Sequence, residues 1–229
     1  MRWFPMAWLG FVGACGPDGR VKLGSAPEPE PGPPPAEGTP DWVPAGTNAP
    51  PEVGEQGELV AYVGSSLTRA DTTGYRELGG RRFESWNSGG CSIDQYLDPD
   101  SACWREYDRA VDGRPVGAGL LHICILGVET TTYDDVRTVL DTFEQRLPAG
   151  APIYTMGLAH YQPADLCGLA GDVIPDVTRA YADQLAADGL AIRAPDLGPL
   201  TDDLTLDGCH PDEEGRRRTG QQLLDFFGP

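Results

Sequence analysis

The chain has 229 residues, 40% of them hydrophobic, with 35 acidic against 17 basic side chains and a formal net charge of −18. That length suits one core-forming domain plus a tail rather than two full domains. The negative surplus repels phosphate backbones and anionic headgroups, which excludes nucleic acid as a natural partner; the single lysine, Lys22, lies in a proline-rich stretch, which removes a serine–lysine pair from the catalytic options.

Met1-Arg2 and the apolar stretch 3–14 read as the basic and hydrophobic regions of an export signal, too short to span a bilayer. The stretch stops at Cys15, and Val12-Gly13-Ala14-Cys15 resembles a bacterial lipobox, whose cysteine is acylated and becomes the new N-terminus. An ordinary secretory signal cut nearby would export the protein equally. From about Ser25 the chain is dense in proline, glycine and glutamate, as in Pro27-Glu28-Pro29-Glu30-Pro31 and Pro33-Pro34-Pro35, a composition that stays extended and hydrated. The expected organisation is a signal with lipobox over 1–15, a Pro-rich tether over 16–57 and a folded domain over 58–229. No later apolar run reaches the roughly 20 residues of a membrane helix. The expectation is a monomer at the bacterial cell envelope, touching membrane only through lipid on Cys15.

Leu59–Val63 is a short apolar run bounded by glycines and predicts a buried strand turning at Gly64. Further strands are expected at 82–86, 120–126, 153–156 and 190–193. Helical spacing marks 102–111, 133–147 with apolar Val136, Val139, Leu140 and Phe143, and 177–187; a last helix is expected from Pro211, at its first position, to about 227. Strands alternating with helices predict an α/β fold with a mostly parallel five-stranded sheet covered on both faces. Ligands of such sheets sit at the carboxyl ends of the strands, where 64–66, 87–90, 127–132 and 157–161 would converge.

Six cysteines become five if Cys15 is acylated, so at least one thiol stays outside any bridge. Cys124, in an apolar run, fits that part. The other four allow Cys91–Cys103 and Cys167–Cys209, although connectivity does not follow from sequence. A Cys167–Cys209 bridge would brace the loop that carries Asp207 and His210. His160, Cys167, Cys209 and His210 offer a zinc set by residue type, but adjacent Cys209-His210 and the lack of a C-x-x-C repeat fit structural zinc poorly; no metal and no cofactor is expected.

Chemistry concentrates in two places. Leu206-Asp207-Gly208-Cys209-His210-Pro211 sets an acid three positions before an imidazole, and Gly64-Ser65-Ser66-Leu67 holds serines at a strand-to-helix turn. Hydrolysis by a serine needs a base for the hydroxyl proton and a carboxylate to orient that base, and the chain offers the three in the order Ser, Asp, His. Of the other histidines, His122 is expected in the core or under a helix, whereas His160 follows a strand and could line the crevice.

These two segments resemble the SGNH (GDSL-type) hydrolase family over about 59–227. Gly64-Ser65-Ser66-Leu67 is similar to its glycine-aspartate-serine-leucine block, with Ser66 at the nucleophile position and Ser65 in place of the aspartate. Asp207 and His210, followed by Pro211 and Gly215, match its final aspartate-x-x-histidine block. The resemblance implies a flavodoxin-like three-layer sandwich and an ester hydrolase in which Ser66 attacks, His210 moves the proton and Asp207 holds the imidazole. The family's second block supplies an oxyanion glycine, and Asn87-Ser88-Gly89-Gly90 sits at that place, with Gly90 the first choice and Gly89 the second. The third block would fall on Gly127-Val128-Glu129-Thr130. There Glu129 replaces an asparagine that should donate, and an ionised carboxylate only accepts. Glu129 would have to be protonated or turned away, or its task passed to Thr130, Thr131 or Asn87, one of only two asparagines in the chain. The expected oxyanion set is the backbone N–H groups of Ser66 and Gly90 with Asn87. Lacking an obvious apolar lid, the protein is expected to cleave a small or carbohydrate-linked acyl ester. The alternative is an SGNH-fold surface binding module that has lost turnover through Glu129.

Overall fold

The computed structural model describes residues 59–83, 91–167 and 173–229. The expected signal and tether, Cys15, Asn87, Gly89 and Gly90 lie outside the described residues.

Four parallel strands form the main sheet in the order β1-β2-β3-β5: β1 (Leu59–Val63), β2 (Val116–His122), β3 (Ile153–Met156) and β5 (Ile192–Arg193). A second, two-stranded sheet pairs β4 (Tyr161–Gln162) with β6 (Leu200–Thr201). Six helices accompany them among the described residues: α1 (Ser66–Glu77), α2 (Ile93–Tyr96), α3 (Ala102–Val111), α4 (Tyr133–Glu144), α5 (Ile174–Ala187) and α6 (Glu213–Phe227). Among the described residues the main sheet thus has four strands where the sequence suggests five. Arg82 and Phe83, the start of the expected second strand, are not in a strand, although the Arg82 carbonyl accepts the N–H of Val60 at 2.8 Å beside β1.

Register explains the layers. Tyr62, Leu120 and Tyr154 are cross-strand neighbours on one face. Edge-to-face ring contacts seal that face under α1 and α6, with Phe227 4.9 Å from Phe83 and 5.0 Å from Tyr154. Gly119, one residue along β2, meets Phe143 of α4 on the opposite side, where Trp104, Tyr107 and Phe143 stack edge to face. Between α1 and α6, Asp71 is buried against Thr219, and burial pushes its carboxyl up to about 7.

Two boundaries differ instructively. β2 begins at Val116, because Gly119 pairs in the ladder despite reading poorly as a strand residue, while Gly117 is passed over where the register shifts between Leu59 and Val60. The apolar run continues beyond the strand to Ile125 because those residues are buried below a loop, with Cys124 O accepting the N–H of Ile93 at 2.8 Å. α6 begins after Asp212, not at Pro211: the Asp212 carboxylate accepts Gly215 N–H at 2.8 Å as its cap, while Pro211 forms a bridge with Thr205.

Candidate active site

β1 is buried along its whole length and delivers the chain to the carboxyl edge of the sheet. There Ser65 adopts an extended conformation as the N-cap of α1, its hydroxyl accepting Leu67 N–H at 3.3 Å. Ser66 is therefore the first residue of α1, where backbone N–H groups project beyond the helix and the dipole favours negative charge.

The second half of the site is the 205–212 loop. Asp207 does two things at once. Its Oδ1 accepts the backbone N–H groups of Cys209 at 3.0 Å and His210 at 2.7 Å, and its Oδ2 lies 2.8 Å from His210 Nδ1. Partial burial pushes this carboxyl up, but the two backbone donors and the imidazole outweigh it and hold it below its ordinary value. With Nδ1–H donated to Asp207, His210 Nε2 is the acceptor, and it stands 2.9 Å from Ser66 Oγ. Ser66, His210 and Asp207 thus form one hydrogen-bonded line.

The loop is braced from several sides. Cys209 is joined to Cys167, Tyr161 Oη–H donates to Cys209 O at 3.1 Å, and Leu206 N–H donates to His210 O at 2.8 Å. Gly208 has φ +81°, a conformation that an L side chain rarely adopts. The Cys167–Cys209 and Cys91–Cys103 disulfides both form as the sequence allowed, and Cys124 is in neither. The first bridge takes two sulfurs out of the zinc set considered above.

Around this line the other candidates sort by what they touch. Glu129 is an exposed residue of the 128–130 turn. The Thr130 hydroxyl donates to Gly127 O at 3.2 Å and the Thr131 hydroxyl to Asp94 Oδ1 at 2.7 Å, so both threonine protons are engaged elsewhere. That removes them as substitutes for the missing asparagine. His160 is half-exposed, with Nε2 3.8 Å from Asp196 Oδ2. Asp94 and Thr68 were not singled out from sequence. Asp94 ties α2 to the loop after β2, and Thr68 bonds the nucleophile turn; the latter had a signal, since Ser65 and Thr68 have capping-box spacing.

No protein-family model matches the chain, and no curated protein matches it. Among solved structures, one described as "a putative SGNH hydrolase from Slackia heliotrinireducens" aligns with a TM-score of 0.54 at 20% identity, covering 76% of this chain and 100% of that one. The α/β fold is shared with that protein.

Proposed function

We propose that the chain is an exported serine hydrolase that cleaves small or carbohydrate-linked acyl esters. The observation that carries this reading is the unbroken line from Ser66 Oγ through the His210 ring to Asp207, with distances of 2.9 and 2.8 Å. In the proposed reaction, Ser66 attacks the ester carbonyl as His210 Nε2 takes its proton. His210 then returns that proton to the leaving alcohol, and water releases the acyl group by the same route reversed. Asp207 holds the imidazole in the tautomer that accepts at Nε2 and stabilises the cation formed in the transition state. The oxyanion would be met by the N–H groups of Ser66 and Gly90 and by the Asn87 amide. Glu129 is left to the exposed turn.

Export rests on the apolar leader, and two disulfides in the folded domain suit an oxidising compartment. Acylation at Cys15 predicts a mature N-terminus there carrying diacylglycerol, readable by mass spectrometry; a mature protein that begins elsewhere contradicts the anchor. Hydrolysis of p-nitrophenyl acetate by the purified protein, abolished by Ser66→Ala, is the expected activity. Turnover that persists in Ser66→Ala, or no turnover in the wild type, overturns the reading.

A further inference from the structure

His122 closes β2 with 1% of its surface exposed, and nothing in the proposed reaction uses it. It lies on the face of the sheet covered by α1, and its Nδ1 is 2.8 Å from Thr68 Oγ1. That same oxygen accepts the backbone N–H of Ser65 at 2.9 Å. Thr68 Oγ1 therefore links the Ser65 N–H on one side to His122 Nδ1 on the other, so the two bonds run in series from Ser65 to Thr68 to His122. Gly64 packs directly on this pair: a Cβ there would come 2.1 Å from Thr68 Oγ1 and 3.2 Å from His122 Cβ.

A buried imidazole is a costly way to fill this space. Desolvation pushes it down to about 4, the Gly157 backbone opposing only in part, so the ring is neutral and serves as a fixed partner for the Thr68 hydroxyl. A leucine would fill the same volume without that cost but could not hold the Thr68 hydroxyl. What the nitrogen adds is orientation. It locks the rotamer of Thr68, which locks the N–H of Ser65, and Ser65 is the residue whose backbone aims Ser66 at His210.

Resting on the serine-hydrolase reading above, we propose that His122 is a positioning residue for Ser66, acting through Thr68 to fix the nucleophile turn from strand β2. Small displacements of a reacting oxygen lower kcat steeply, whereas substrate affinity does not depend on this turn alone. His122→Leu in the full chain should lower kcat for p-nitrophenyl acetate by about tenfold at unchanged KM, the scale of one buried hydrogen bond. The rate at which a fluorophosphonate probe labels Ser66 should fall in parallel. His122→Asn, whose Oδ1 can stand where Nδ1 stood, should restore most of the rate. Thr68→Val keeps the shape and removes the hydroxyl; it should reproduce the His122→Leu loss, and the double variant should be no slower than either single one. Wild-type kcat in His122→Leu, or additive losses in the double variant, would overturn the positioning role while leaving the hydrolase reading intact. A wild type with no Ser66-dependent turnover would overturn both, and is told apart because the wild-type chain itself fails.

Discussion

The turn that carries Ser66 and the loop that carries Asp207 and His210 meet across 2.9 Å, yet they are held by different means. Ser66 stands between a fully buried strand and a twelve-residue helix, its neighbours tied into the core through Thr68 and His122. Asp207 and His210 belong to a loop without regular structure, and Asp207 leaves about half of its side chain, 48%, in solvent. Their alignment comes from a disulfide, a tyrosine hydroxyl and three hydrogen bonds that Asp207 itself accepts or shares. Ser66 is therefore coupled to global folding. Asp207 and His210 can be loosened while the fold stands.

The largest expected effect removes one side altogether. His210→Ala should lower kcat by about 10⁴–10⁶ with the far-ultraviolet circular dichroism unchanged, because the side chain lies outside the core. Next comes the oxyanion. With both threonine hydroxyls engaged and Glu129 exposed, Asn87→Ala should cost about 10²–10³ in kcat and Glu129→Asn little, measured on the same ester.

The two disulfides sharpen the comparison further. Cys167–Cys209 closes 42 residues and Cys91–Cys103 closes 12, so loop entropy assigns them about 4 and about 3 kcal/mol. Serine at both positions of either bridge should lower the denaturation midpoint comparably. Loss of Cys167–Cys209 should also lower kcat in conditions where the protein stays folded, because Cys209 lies between Asp207 and His210. A wild-type kcat without Cys167–Cys209 would show that the loop does not depend on its own bridge.

The smallest effect concerns stability and pH. Asp71 titrates near 7 in the fold against 3.8 unfolded, so between those values the native state retains a proton that the unfolded chain has released. Stability from this group falls as pH rises through that window, at up to about 1.4 kcal/mol per unit. His122 acts in the opposite sense. Its folded value near 4 lies below 6.5, so its contribution is lost as pH falls from about 6.5 towards 4. Asp71→Asn should raise the thermal midpoint at pH 8, leave it near wild type at pH 4, and expose the acid-side loss that the two opposed slopes partly conceal.

Much of this was legible in the sequence, and the exceptions share a cause. β1, α3 and β3 fall where the apolar pattern put them because each pattern is bounded by turn residues. β2 lies earlier than expected because its first half is half glycine and its apolar tail is buried beyond the end of the strand. Ser66, Asp207 and His210 stood out because each sits in a local motif with a chemical logic. His122 did not: among apolar neighbours it read as core, and its bond to Thr68 joins residues 54 apart, which no local pattern reports. The zinc option and the threonine donors failed for a similar reason, since disulfide partners and hydroxyl acceptors are set by tertiary contact.

The central claim is that Ser66 is a nucleophile activated by His210. Labelling the purified protein with a fluorophosphonate probe, then mapping the adduct by peptide mass spectrometry, tests it most directly. A single adduct is expected on Ser66, formed at a rate that His210→Ala lowers by orders of magnitude and that Ser65→Ala leaves within a few fold. An adduct on Ser65 that survives Ser66→Ala, or a labelling rate indifferent to His210, would contradict it.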